Sequence, residues 1–253
     1  MNTLKVPNPI LRRVVHSKYI DIFGVLLVLS ITLYRGFHTT IYFNGGVLFN
    51  TPLKELLDYI SKGAFPIGLL SIIGAIFSLL ATRFHVKQNN LGNIIWLFTT
   101  INSGVLDYLF GNSSAIITYP ITFGIAVLST RNWSKGELIK DADYRYGILI
   151  VLSFIVAYAL VYLGFYMFNT PIENPIFIHT IAILFAISLI GNIGTAYKYK
   201  QSFIVWGFYN VSQIIKNTMQ GNLANVIKYL FYMGNTVISY FDWHINGDVK
   251  KED

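Results

Sequence analysis

The stretch Phe203-Ile-Val-Trp-Gly-Phe-Tyr-Asn210 puts Trp206 and Asn210 one helical turn apart, in a run otherwise apolar enough to lie in a membrane. Continuing at helical spacing, Gln213 and Asn217 fall on the same side, so positions 206, 210, 213 and 217 form an aromatic and amide stripe down one face. Subtracting 110 from each number returns Trp96, Thr100, Ser103 and Asp107, a second polar stripe in an apolar run. Laying 93–133 over 203–243 without a gap gives eleven identities in 41 positions, among them Trp96 with Trp206, Gly111-Asn112 with Gly221-Asn222, Tyr119 with Tyr229 and Trp133 with Trp243. Self-similarity at a fixed period marks a duplicated unit. A duplicated membrane unit points to a pseudo-symmetric pore or transporter.

The surrounding composition supports a membrane setting. The 253 residues are 54% hydrophobic and 12% charged, with mean hydropathy +0.53, whereas a soluble domain carries about 25% charged residues. The apolar runs have the length an α-helix needs to cross about 30 Å of hydrocarbon and lack the period-two alternation of outer-membrane strands. The net charge of +7 is spread among loops and makes no patch for nucleic acid. There is no cysteine, which excludes thiol chemistry and cysteine-based metal sites.

In chain order the reading is a basic tail over 1–18, a transmembrane helix over 19–35 and an external loop over 36–64. A three-helix repeat over 65–133, a linking helix with its loops over 134–174, a second three-helix repeat over 175–243 and a tail over 244–253 complete it. The first apolar run is a retained helix rather than a signal peptide, because Asp21 interrupts it and no small-x-small cleavage site follows. Within the external loop, Thr51-Pro52 reads as a cap and first helical position, and Leu53, Leu56, Leu57 and Ile60 form one face of an amphipathic helix. That helix, over 52–62, is either a membrane-surface anchor or a lid. Pro120 falls inside the third helix of the first repeat and favours a kink, while Asn174-Pro175 caps the second repeat. A three-helix unit ends on the face opposite its start, so one linking helix lets the second unit insert in the same orientation. The fold class expected is an all-α membrane bundle, a 3+1+3 parallel duplication with one extra N-terminal helix, eight spans in total. Alternate loops and the two tails carry fourteen Lys and Arg, against Arg35, Lys54 and Lys62 on the other side, which predicts cytoplasmic termini.

Several residues are candidates for solute contact. Asp107 is a carboxylate in an apolar helix, expected either to pair with Lys216 or Lys228 or to attract a cationic solute into an outer vestibule. Trp206, Asn210, Gln213 and Asn217, with Trp96, Thr100 and Ser103, line a hydrated path or join helices through hydrogen bonds. On the last helix Asn225, Tyr229, Tyr232 and Thr236 follow one face, and Tyr119 and Thr122 correspond to Tyr229 and Tyr232. Asn192, Thr195 and Asn235 are weaker candidates, and His179 reads as a hydrogen-bonded or interfacial histidine. Signatures of metalloproteases, serine hydrolases and nucleotide-phosphate loops are missing, so an enzyme is not expected. Only Asp21 and Asp107 are read as carboxylates within apolar segments, too few for an ion relay, which favours facilitated diffusion.

Over roughly 65–243 the chain resembles the PnuC family of bacterial vitamin transporters. The resemblance is carried by Arg83-Phe-His-Val-Lys-Gln-Asn-Asn-Leu-Gly92, by Trp133 and Trp243 at the repeat ends, and by Trp206 and Asn210. It implies a fold like a full-length sugar-transporting SWEET protein, a bacterial inner-membrane location and uptake of nicotinamide riboside or a related vitamin by diffusion. A cytoplasmic kinase would trap the product. No cofactor is implied, and homo-oligomerisation is left open. The family has a second tryptophan about one turn before Trp206, where this chain has Ser202-Phe203, so thiamine and deoxyribonucleosides are alternative substrates. A pyridinium ring suits an aromatic face and a carboxylate, and ribose hydroxyls suit Asn and Gln. A different class of function, a scaffold or receptor subunit whose stripes only join helices, is the competing expectation.

Overall fold

The computed structural model describes residues 8–168 and 175–248. Lys5 of the basic tail, Asn174 as a cap, and Lys250 and Lys251 lie outside the described residues. Among the described residues there are ten α-helices: α1 (Pro9–His16), α2 (Lys18–Tyr34), α3 (Leu53–Ser61), α4 (Ile67–Val86), α5 (Leu91–Leu109), α6 (Ala115–Ser134), α7 (Tyr144–Met167), α8 (Pro175–Ala196), α9 (Ser202–Met219) and α10 (Leu223–Ile245). The helices α4, α7 and α8 are by themselves long and apolar enough to cross a membrane, and α1 with α2 adds a fourth if that bent pair is one span. The others are diluted by polar residues. In α5 and α9 these include Asn93, Thr100, Asp107, Asn210, Gln213 and Asn217, which are buried rather than turned outward.

The duplication is visible in how helices end and pack. Helices α5 and α9 stop at the matched glycines Gly111 and Gly221, whose φ of 94° and 68° lies in the region where a side chain is strained. The next residue then closes the last turn in both, Asn112 N–H donating to Asp107 O at 3.0 Å and Asn222 N–H to Asn217 O at 2.9 Å. Helix α4 packs on α5 and α5 on α6, as α8 packs on α9 and α9 on α10. The two sets close on each other because α6 lies against α8 and α10 against α4. Trp133 Nε1 donates to Thr195 O at the end of α8, and its repeat mate Trp243 Nε1 donates to Val86 O at the end of α4, both at 3.0 Å. Gln220 Nε2 reaches Phe110 O at 3.4 Å, joining the C-terminal ends of α9 and α5, so these two helices run the same way.

Helix α2 proves to be more than an appended span. It packs on α4 and α10 just as α7 packs on α8 and α6, so each of the two seams between the three-helix sets has one covering helix. Two apolar cores result. One joins Ala157, Val161 and Phe165 of α7 to Ile125 of α6 and Ile178, Ala182 and Phe185 of α8. The other joins Val28 of α2 to Ile72, Ala75 and Leu79 of α4 and Ala224 and Ile227 of α10. Pro120 is accommodated inside α6 as one continuous helix.

Three local readings are corrected. The basic tail over 1–18 contains α1, capped by Asn8 Oδ1 accepting from Leu11 N–H at 3.0 Å and tied to the end of α10 by Arg12 and Asp242 at 3.1 Å. The external loop holds a β-hairpin, β1 (Ile41–Phe43) against β2 (Gly46–Leu48), turned by Asn44-Gly45 with positive φ at both residues. Helix α3 begins at Leu53, with Pro52 as its cap position and no capping side chain, and Thr51 Oγ1 has no partner. None of its residues is buried and Leu53 and Leu57 are 67% and 75% exposed, so it does not act as a lid packed on the bundle.

Candidate functional site

A cavity of about 180 Å³ lies between the two three-helix sets, and its ends differ in chemistry. Trp96 and Trp206 come from the second turns of α5 and α9, which puts both indoles at one end. The Trp206 ring lies on Gly191 of α8, where a Cβ would come within 2.9 Å of it, so the close approach depends on glycine. Its Nε1 donates to Thr195 Oγ1 at 3.0 Å, and Tyr209 meets it edge to face at 5.1 Å. Phe203, His85 and Trp243 complete this aromatic end, with Phe203 and Trp243 edge to face at 4.8 Å. In the middle, Asn210 Nδ2 donates to Thr236 Oγ1 at 3.1 Å, linking α9 to α10, while Thr100 Oγ1 donates to Trp96 O at 2.8 Å. The first joins two helices and the second is local to α5, and both hold amide and hydroxyl groups at the cavity wall.

The other end is charged. Asp107 is 8% exposed and accepts from Lys216 Nζ at 2.6 Å and from Asn112 Nδ2 at 2.6 Å, with Tyr119 OH at 3.5 Å. Of the two expected partners it takes Lys216, so it is a paired carboxylate and not a free one awaiting a cation. Lys228 also lines the cavity, with its ammonium 4.2 Å from the centre of the Tyr229 ring and 5.9 Å from that of Tyr232. Tyr209, Tyr229 and Tyr232 form a chain of edge-to-face contacts with centroids 6.0 and 5.5 Å apart.

A family profile described as nicotinamide mononucleotide transporter matches residues 68–245, which is most of the chain and all of the cavity lining. The chain belongs to this transporter family. Its fold superposes on a crystal structure described as the vitamin B3 transporter PnuC with a TM-score of 0.61, over 90% of this chain and 91% of that one, at 15% identity. That likeness speaks for the shared fold. A search of curated proteins by sequence gives no match. The PnuC resemblance read from the repeat is therefore sound, and the protein is a multi-pass membrane transporter and not an enzyme.

Twelve of the fourteen stronger candidates lie on the cavity: Trp96, Thr100, Ser103, Asp107, Tyr119, Thr122, Trp206, Asn210, Gln213, Tyr229, Tyr232 and Thr236. Asn217 does not. It sits behind Gln213, donating to Gln213 O at 2.8 Å and to Gln213 Oε1 at 3.0 Å, and so holds that amide while Gln213 Nε2 donates to Tyr209 OH at 2.7 Å. Asn225 is also off the lining, whereas Asn192, Thr195 and Asn235 are on it. His179 faces Tyr158 and Tyr162 of α7, away from the cavity. A third buried carboxylate was missed, Asp242, which pairs with Arg12 at the last turn of α10. Also missed were His85, Tyr209 and the two lysines as lining residues. A cation inside an apolar helix was a usable signal for the lysines, but it was spent on explaining Asp107.

Proposed function

We propose that this chain carries a flat-ringed, nucleoside-type vitamin across the bacterial inner membrane by facilitated diffusion, with nicotinamide riboside as the first candidate. The observation that carries the reading is the cavity between the duplicated halves, in which paired indoles offer ring faces and Asn210, Gln213 and Thr236 offer sugar-binding donors and acceptors. The site lies where such folds bind solute, between repeats that can rock against each other. The membrane arrangement that goes with it is eight spans, α2 and α4–α10, in the division drawn from the sequence and with both termini cytoplasmic.

Diffusion as the mode rests on the state of the carboxylates. Asp21 is bound by Arg83 at 2.6 Å and Lys87 at 2.5 Å, Asp107 by Lys216, and Asp242 by Arg12. Each is already neutralised by a cation, so none is left as a carrier for coupled protons or sodium. Net uptake by diffusion requires that the solute be consumed inside, which is the reason to expect a cytoplasmic kinase as functional partner. A second reading, a deoxyribonucleoside as solute, is favoured by one observation: with Asp107 committed to Lys216, the charged end holds, among the described residues, the unpaired basic side chain of Lys228 and no free carboxylate, which suits an uncharged nucleoside better than a pyridinium or thiazolium cation.

The experiment is thermal stabilisation of purified protein across nicotinamide riboside, thiamine, riboflavin and thymidine, since a ligand at a hundred times its Kd stabilises the folded state by about 2.7 kcal/mol. A selective shift is expected, lost in Trp206→Ala and weakened in Asn210→Ala. Retention of the full shift in both variants would remove the cavity as the binding site.

A further inference from the structure

The cavity contains one charge that its walls do not balance. Lys228 is 4% exposed, its ammonium reaches into the cavity, and among the described residues it makes no ion pair, its close contacts being the faces of Tyr229 and Tyr232. The other charged groups at that end are Lys216 and Asp107, which bind each other. Tyr119, Tyr209 and Tyr229 supply polar but uncharged neighbours. A lysine within a membrane helix is costly, and such residues mark solute paths by default. The cost is unlike that of Arg83, which is buried in the same protein but fully occupied by Asp21, Asn235 Oδ1 and Val15 O. The repeat sharpens the point, because the position matching Lys228 in the first half is Thr118, also on the cavity wall, so the fold itself does not require a cation there.

The geometry points to Lys228 as a specificity-determining residue that binds an acceptor group on the solute, a ring carboxylate best and a ring carbonyl next, and turns away permanently cationic solutes. The inference rests on the cavity being the solute site and revises the first candidate for it: the solute is a flat-ringed nucleoside with no net positive charge, so nicotinic acid riboside stands ahead of nicotinamide riboside. Three donors on a desolvated ammonium match the two oxygens of a carboxylate, and a charge-assisted bond of this kind is about twice as strong as a neutral one. The tyrosine faces hold the ammonium by cation–π attraction without satisfying its N–H groups, so the lysine is positioned and still able to bond. At the far end the indoles take the remaining ring surface.

The test uses three ribosides of nearly the same shape, differing in charge: nicotinamide riboside, its reduced dihydro form, and nicotinic acid riboside. Their Kd values are measured on the purified full chain in detergent, for the native protein and for K228Q, K228R and W206A. The expected order in the native protein is nicotinic acid riboside tightest, the uncharged dihydro form next and the pyridinium amide weakest. K228Q should weaken the carboxylate ligand by about ten- to a hundredfold and erase or reverse the order. K228R should keep the order, which also covers the case in which K228Q fails to fold. An unchanged order in K228Q, or tightest binding of the cationic amide by the native protein, overturns the inference; if W206A still abolishes binding, the solute site itself stands. Binding unaffected by W206A, or no binding of any riboside, overturns both.

Discussion

The two halves of the bundle share a 110-residue period and the same helix-ending glycines, and differ in what they show to the cavity. On the cavity wall the first half shows Thr99, Thr100, Ser103, Asp107, Thr118 and Thr122, and the second shows Tyr209, Asn210, Gln213, Lys216, Lys228 and Tyr232, all but Asp107 and Lys216 at matched positions. Small hydroxyls and one carboxylate thus face amides, tyrosines and two lysines. What stays identical is what builds the halves, namely the glycine helix ends Gly111 and Gly221, the inter-half tryptophans Trp133 and Trp243, and the indoles Trp96 and Trp206. The scaffold can remain symmetric because both halves solve the same packing problem. An asymmetric solute needs different groups on its two sides, so the lining cannot.

This comparison can be broken most sharply at the ion pair, which has no equivalent in register: Lys216 matches Leu106, and Asp107 matches Asn217. Asp107→Ala should destabilise the protein by about 3–5 kcal/mol in thermal or denaturant unfolding, because it strands a buried ammonium. Asp107→Leu combined with Lys216→Leu should recover most of that loss, and a double variant as unstable as the single one would show that the pair acts through something other than charge balance. A smaller effect is expected where the halves agree. Trp243→Phe and Trp133→Phe each remove one donor from a backbone carbonyl of the other half, and each should lower stability by about 1–3 kcal/mol. The loss should be greater at Trp243, which is 1% exposed against 7% for Trp133, and the reverse ranking would mean that the two seams are not equivalent. Smallest is the matched pair Gly124 and Gly234, where an added Cβ meets nothing within 4 Å. Gly124→Ala and Gly234→Ala should each stabilise by at most roughly 0.5–1 kcal/mol, and unequal changes in melting temperature would reveal a constraint present in only one half.

Most of the bundle was legible in the residues. The stretch read as three helices over 65–133 emerges as α4, α5 and α6, with Arg83 and Trp133 leaving the apolar pattern yet staying helical. The features that escaped were those with little periodicity to read. The three-residue strands of the hairpin are too short to alternate visibly, although Asn44-Gly45 was a usable turn signal. Helix α1 was masked by its charges, Arg12 and Arg13, which suggested a tail until the structure placed Arg12 on Asp242. Asn217 lies on the same helix face as Trp206 by number, but it is the last of the stripe and is turned behind Gln213.

The sequence by itself determined that this is a helical membrane protein with a duplicated core, which faces of α5, α9 and α10 are polar, and that Trp206 and Asn210 share one wall. It could do so because helical spacing and a 110-residue period translate directly into position on a face. Only the tertiary structure decided that α2 is the counterpart of α7, that Asp107 binds Lys216 rather than Lys228, and that Lys228 is left facing the cavity. Those outcomes depend on how helices distant in the chain approach each other. Asp107 and Lys216 are 109 residues apart, and a contact of 2.6 Å between them is set by how the two three-helix sets close on each other through α6 with α8 and α4 with α10, which no local spacing encodes.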